Sequence, residues 1–217
     1  TITFLMGEAT RTAAGKTEKL AANGQVFEND LIETKSRTRL EIKLPDKSVI
    51  RVGPESKVQL ASAVFGKKTE DRKVSSKLII GNMWAKVATA VGGEAKFEVK
   101  TENAVAGVRG TPFRVDAMQD KSTVVKVYNG TVAVAAGPIP RPEHKTGEQK
   151  KPERKQVAGP QRITREQWER KVTAMMQIKV AADGTPSELE QFAIAKPGED
   201  EWEEWNIQRD GLEDKGG

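Results

Sequence analysis

Apolar and polar positions alternate along much of this chain with the two-residue period of a pleated strand. Leu40, Ile42 and Leu44 alternate with Arg39, Glu41 and Lys43, so one face of that segment is expected in a core and the other in water. Similar runs occur at Val26-Phe27, Ser48 to Val52 and Val58-Gln59-Leu60, bounded by turn residues, and Pro45-Asp46-Lys47 reverses the chain between two of them. A polar, Lys-rich stretch from Gly66 to Ser76 reads as an exposed insertion. Beyond it the pattern resumes at Leu78-Ile79-Ile80, Met83 to Val87 and Lys96 to Val99. Val124 to Tyr128, Asn129-Gly130 and Thr131 to Val134 predict a β-hairpin over 124–134, because Asn-Gly supplies the positive φ angles of a two-residue turn.

Gly7, Gly81 and Gly130 each stand just before an alternating or apolar run. Stacked repeats produce such an echo, and so do simple hairpin turns, so a solenoid-like stack is open but not required. From 138 to 163 the chain is rich in Pro, Lys, Arg and Glu and poor in apolar residues, the composition of a linker. Thr164-Arg165-Glu166-Gln167 then forms a capping-box pattern, with Trp168, Val172, Met175 and Met176 at helical spacing behind it, so a short α-helix is predicted over 165–177. Gln177 to Val180 and Phe192-Ala193-Ile194 read as short strands. The organisation expected is a β domain over 1–137, a linker over 138–163, and a C-terminal unit over 164–217 made of the helix, short strands and an acidic tail.

Composition agrees with an all-β class, since aromatics are 5% of the residues and Val, Ile and Thr recur in short runs. There is no cysteine, which removes disulfides, thiolate nucleophiles and cysteine-based zinc sites together. The net charge of +5 hides a division: residues 1–140 carry 22 Lys/Arg against 15 Asp/Glu, whereas 172–217 carry 4 against 11. Glu199 to Asn206 sets Trp202 and Trp205 among acids, so this tail is expected to dock on the basic body, where the indoles find cover. No run approaches the roughly 18 consecutive apolar residues of a membrane span. The chain opens in mid-pattern at Thr1-Ile2-Thr3 without an initiator Met, which removal of a signal peptide and an arbitrary start of the sequence explain equally well; whether a lipid anchor precedes Thr1 stays open.

Candidate chemistry is sparse. The single histidine, His144, lies in the Pro/Lys-rich linker, where nothing orients it as a base or a metal ligand. The acids of Glu199 to Glu204 lack the spacing of a calcium loop, and no metal, cofactor or catalytic residue is predicted. Gly107-Val108-Arg109-Gly110 runs into the strand-like Thr111-Pro112-Phe113-Arg114-Val115, not into a helix whose N-terminus would hold phosphate. Paired carboxylates such as Glu201 and Glu204 are the raw material of glycan hydrolysis, but no groove or supporting partner is legible around them.

The segment Lys96 to Val115, with Ala104-Val105-Ala106-Gly107-Val108-Arg109-Gly110-Thr111 at its centre and Phe113-Arg114-Val115 behind it, resembles the signature of FecR domains. Asn29 to Thr34, Leu44 to Ser48, Leu78 to Val87 and Tyr128 to Val132 are similar to further turns and strands of that family, with Glu102 where a Pro is usual and Lys47 where a Gly is usual. The resemblance spans about residues 5–136. It implies an all-β, solenoid-like or twisted β-sandwich module of the bacterial periplasm or cell envelope, which in the best-known members relays a signal from an outer-membrane transporter. The transmembrane and anti-sigma segments of those regulators have no counterpart in the pattern of this chain.

Two functions compete on this reading. A non-enzymatic protein-interaction module, in signalling or as a scaffold, would meet another envelope protein through an exposed sheet edge, with Trp202 and Trp205 as a second contact. A polyanion or cell-wall polymer binder would use the Lys and Arg of the body and linker; no nucleic-acid motif accompanies them. Within the signature, Gly107 and Gly110 suit a tight corner. Arg109 suits either an internal ion pair or, with Thr111, a partner-binding edge.

Overall fold

The computed structural model describes residues 1–65, 73–88, 96–108, 110–137 and 168–213. Among them lie β1 (Ile2–Met6), β2 (Ala9–Ala13), β3 (Lys16–Lys19), β4 (Leu31–Thr34), β5 (Arg39–Lys43), β6 (Val49–Val52), β7 (Lys57–Val64) and β8 (Lys73–Lys86). These are followed by β9 (Lys96–Lys100), β10 (Ala104–Val108), β11 (Pro112–Ala117), β12 (Thr123–Val127), β13 (Thr131–Ala136), β14 (Glu169–Thr173), β15 (Met176–Val180), β16 (Glu190–Gln191) and the helix α1 (Glu201–Glu213). The expected all-β class is what the chain adopts, with the helix among the described residues at Glu201–Glu213.

The strands form two sheets that share β8. Sheet I runs β1-β5-β6-β8-β11-β12-β15-β16, using residues 81–86 of β8, and sheet II runs β3-β2-β4-β7-β8-β9-β10-β13-β14, using the preceding residues of that strand. All pairings are antiparallel except β8 with β9. The alternating positions of both sheets meet in one core, with Leu40, Ile42, Met83, Phe113 and Val125 supplied by sheet I and Ile32, Val58, Leu78, Val132 and Val134 by sheet II. Burying one face of each strand holds the register, because a one-residue slip would put every core side chain into water.

Seven of the crossings between the sheets carry a residue with positive φ among the described residues: Gly7, Arg37, Glu55, Gly81, Gly110, Gly130 and Met175; an eighth joins the sheet I end of β8 to β9 in sheet II. Such a residue turns the backbone sharply within one position, a conformation glycine adopts without a steric penalty. Gly81 lies inside β8 and bends that strand from one sheet into the other, so the two runs read at 78–80 and 83–87 belong to one strand.

This geometry corrects the expected hairpin over 124–134. β12 pairs with β11 and β15, and β13 pairs with β10 and β14, so the Asn129-Gly130 turn carries the chain across the core. Local turn chemistry was read rightly as a positive φ at Gly130, but the antiparallel neighbours β11 and β10 already fill the positions a hairpin would need. The helix expected over 165–177 is also corrected wherever it is described: Glu169–Thr173 and Met176–Val180 are strands on the edges of sheets II and I. Open sheet edges at β13 and β12 offer these residues backbone partners and a slot for Val172 and Ile178, which outweighs a weak helical preference. The capping-box residues Thr164 to Gln167 and the linker lie outside the described residues. The polar stretch read as an insertion enters β8 at Lys73, and the strand expected at 192–194 is instead the two-residue β16.

β15 is bound into the body by Asn103, whose Nδ2 donates to the carbonyls of Lys121 at 3.0 Å and Val180 at 3.1 Å, while Thr123 Oγ1 donates to its Oδ1 at 2.6 Å. Buried amides of this kind stabilise only when their bonds are made, which ties the β9–β10 turn to one arrangement of β12 and β15.

Candidate functional site

The densest constellation of charged and aromatic groups lies on the outer face of sheet I. Core-facing residues in β5, β6, β8, β11 and β12 leave Glu41, Arg51, Trp84, Arg114 and Lys126 pointing the other way. Strand register then sets them in one row: Glu41 opposite Arg51, Arg51 opposite Trp84, Trp84 opposite Arg114, Arg114 opposite Lys126. None of the five points to water alone, since α1 lies on them.

The helix forms there for local reasons. Asp200 caps it, accepting from Glu203 N–H at 2.9 Å through Oδ1, and Glu201, Glu203 and Glu204 place carboxylates in the first turn, where the helix dipole favours them. Trp202, Trp205, Asn206 and Arg209 recur at the spacing of one helical face. That face meets the row.

Arg51, with no exposed side-chain surface, donates from Nε to Glu41 at 2.8 Å and from Nη1 to Asp210 at 2.6 Å. Trp84 Nε1 donates to the other oxygen of Asp210 at 3.1 Å, and Lys86 Nζ to its backbone carbonyl at 3.4 Å. Arg209 returns the exchange, donating to both oxygens of Glu41 at 2.5 and 2.9 Å. Farther along, Arg114 donates to Asp116 at 2.8 Å and Asp200 at 2.5 Å, and Asn82 Nδ2 completes Asp116 at 2.9 Å. The buried Glu203 accepts from Tyr128 Oη and from Ala195 N–H, with Lys126 Nζ at 3.9 Å. Phe4 and Trp202 flank Trp205, each with ring centroids 5.4 Å from it.

Burial raises the Glu41 carboxyl, but the hydrogen bonds from Arg209, Thr3 and Arg51 more than reverse this and hold it at about 2. Burial likewise disfavours the Asp200 carboxylate, and the Glu203 N–H and Arg114 bring it below its ordinary range. Tyr128 is pushed well above its usual range by burial and by the carboxylate of Glu203. These shifts favour ionised Glu41 and Asp200 and a protonated Tyr128 near neutrality, an arrangement suited to gripping a segment.

Of the candidate contact residues, Arg109 lies outside the described residues. Thr111 is buried at the β10–β11 corner, against Gly130, and its Oγ1 has no hydrogen-bond partner among the described residues. Trp202 and Trp205 stack on each other, with Trp202 buried and Trp205 half-buried under the chain's own fold. The structure brings these two together and leaves Thr111 at a separate corner. Glu201 pairs with Arg39 at 3.3 Å, and Glu204 accepts from Gly198 N–H and Gln208, so the two carboxylates do not face a common space through these contacts. Among the described residues no group of acids and histidines has metal-site geometry, and no helix is long and apolar enough to cross a membrane.

Sequence reasoning passed over Glu41, Arg51 and Arg114, because a charge on the outer face of a strand reads as solvated. A signal did exist for their partner: Asp200 followed by Trp202, Trp205, Asn206 and Arg209 is a capped, one-faced helix.

Beside the N-terminus of α1 lies a cleft of about 340 Å³ lined by Met6, Arg37, Arg39, Pro54, Glu201 and Trp202.

Residues 30–133 match the family model described as FecR protein. No curated protein matches the chain. Two crystal structures of a candidate anti-sigma factor from Parabacteroides distasonis ATCC 8503, at 2.50 and 1.65 Å resolution, are similar to it with 19% identity and a TM-score of 0.49. The match covers 74% of this chain and 59% of that one, so this chain spans about three fifths of the length of its structural neighbour.

Proposed function

With residues 30–133 identified as a FecR domain, we propose that this chain is an exported, non-enzymatic binding module of the bacterial cell envelope, serving a signalling or scaffolding role through contact with another envelope protein. The observation that carries this reading is the row from Glu41 to Lys126. Its charges are paired and buried as in a protein interface, and they hold a polypeptide segment in a defined register. A regulatory family supports the same reading. A polyanion would have to compete with carboxylates already seated on Arg51, Arg114 and Arg209.

Within this proposal residues 1–137 are the binding body, 138–163 a linker, and 164–217 a segment whose helix closes the outer face of sheet I. Arg109 and Thr111 at the signature corner and Trp202 and Trp205 on α1 are the contact residues put forward. A photoreactive amino acid at position 109 in the intact cell is expected to cross-link one envelope protein in high yield. The same probe at Lys16 on edge strand β3 and at Lys171 on edge strand β14 reports strand addition. Absence of any adduct at all three positions sinks the proposal.

A further inference from the structure

We propose that the outer face of sheet I is a docking surface for an acidic, tryptophan-bearing helix of a partner polypeptide, and that α1 is its exchangeable resident. The inference rests on the binding-module reading and adds the chemistry of the partner.

The face beneath α1 is built to be uncovered. Faces that stay covered permanently are apolar, whereas faces that exchange partners are more polar, because they must be soluble alone. Here the row is largely ionic, and its own pairs survive departure of the helix: Arg51 keeps Glu41 at 2.8 Å and Arg114 keeps Asp116 at 2.8 Å, both within the sheet. Undocking therefore presents mainly paired charges to water, with Trp84 the large aromatic ring among them.

Charge complementarity specifies the occupant. Three of the carboxylates that α1 and its cap present to the sheet, Asp200, Glu203 and Asp210, meet Arg114, Lys126 and Arg51, and the more exposed Glu201 meets Arg39, while the one helix cation in the contact, Arg209, meets Glu41. Trp205 lies between Phe4 and the guanidiniums of Arg39, Arg51 and Arg209, 5.5–5.7 Å from its ring. A partner helix needs acids at the positions of Asp200, Glu203 and Asp210 and an aromatic at that of Trp205.

Two features make exchange accessible. Glu201, with 79% of its side chain exposed, holds Arg39 in the cleft at the N-terminus of α1, whereas Arg37 on the same cleft makes no ion pair among the described residues. An incoming acidic helix can engage Arg37 before α1 leaves. The resident is also an imperfect fit, since the buried Trp202 Nε1 has no acceptor among the described residues.

A fluorescent peptide with the sequence of residues 196–213 tests this on the full chain and on its Asp210→Ala variant, which weakens the resident while leaving the face intact. The peptide is expected to bind the variant about tenfold more tightly than the parent, because a weaker resident competes less. The peptide carrying Asp210→Ala should lose that advantage. Hydrogen exchange on the parent reads the resident without any substitution: amides in α1 should exchange through an opening that leaves β6 and β11 protected. Equal or absent peptide binding, or α1 amides that exchange only together with those of β6 and β11, overturns the proposal and makes α1 a permanent part of the fold. Cross-linking at position 109 reads the binding-module proposal separately.

Discussion

A Cβ built on Gly81 falls 2.2 Å from Ser56 Oγ and 2.6 Å from Ser56 Cα, so the bend in β8 rests on the β6–β7 corner at backbone contact. The same relationship joins Gly7 to Thr38, at 2.6 Å from Oγ1, and Gly130 to Thr111, at 2.4 Å from Oγ1. The three glycines that echo in the sequence are thus crossings between sheets, each backed by a hydroxyl residue of a neighbouring crossing.

Gly81→Ala is expected to destabilise the chain by about 3 kcal/mol or more, since it adds strain at φ +95° to a clash with backbone that cannot yield. Gly15→Ala is the control: it has a similar φ of +78° but open space around it, so only the conformational cost of about 1 kcal/mol applies. Denaturant midpoints of the two variants read the difference. Equal losses would mean that the stacked corners relax freely.

The hydroxyls behind the glycines are not equivalent. Ser56 Oγ accepts from Asn82 N–H at 2.9 Å and donates to the Pro54 carbonyl at 2.9 Å, so Ser56→Ala should cost about 1–2 kcal/mol. Thr111 Oγ1 is buried without a partner among the described residues, and Thr111→Val is expected to be within about 1 kcal/mol of neutral or stabilising. If Thr111→Val keeps its melting temperature yet loses the adduct formed at position 109, the hydroxyl serves the partner and not the fold.

Acid should weaken the seat of α1. The folded pKa of Glu41, about 2, lies below its ordinary 4.5, so the stabilisation is complete above pH 4.5 and is lost as pH falls toward 2. The depressed Asp200 acts in the same sense. Together they predict a loss of a few kcal/mol across that window, seen first in the fluorescence of Trp202 and Trp205 and later in the far-ultraviolet β signal. Arg209→Ala should move the fluorescence transition to higher pH, and an unchanged midpoint would remove Glu41 from this role.

Removing residues 199–217 uncovers Arg51, Arg114 and Lys126 and takes away a strongly acidic segment. Retention on a heparin column is expected to rise at low salt, and the difference should shrink near 0.1 M salt, where exposed charges about 10 Å apart are largely screened. Retention that does not change at low salt would mean that the tail does not mask the basic face.

Several strands were legible from the residues alone, because alternation is a local property: Leu40, Ile42 and Leu44 could face one way only, and they are buried, whereas Val26-Phe27, read as a similar run, is not a strand. The turn chemistry was legible as well, as Gly110 and Gly130 have the positive φ their surroundings implied. So was the docking of the tail, since acids and indoles suited a basic, sheltering body. What these signals could not decide was where a turn leads. Asn129-Gly130 supports a hairpin and a crossing equally, and only the presence of β11 and β10 beside β12 and β13 chose the crossing. The stretch from Trp168 to Gln177 became strand for the same reason, because the free edges at β13 and β12 offered more than a helical turn of its own. The row from Glu41 to Lys126 is the clearest case. Each of its members is separated from the next by many residues and reads as an ordinary solvated charge or a lone aromatic, until register sets them side by side and Asp210, more than 150 positions from Arg51, reaches it at 2.6 Å.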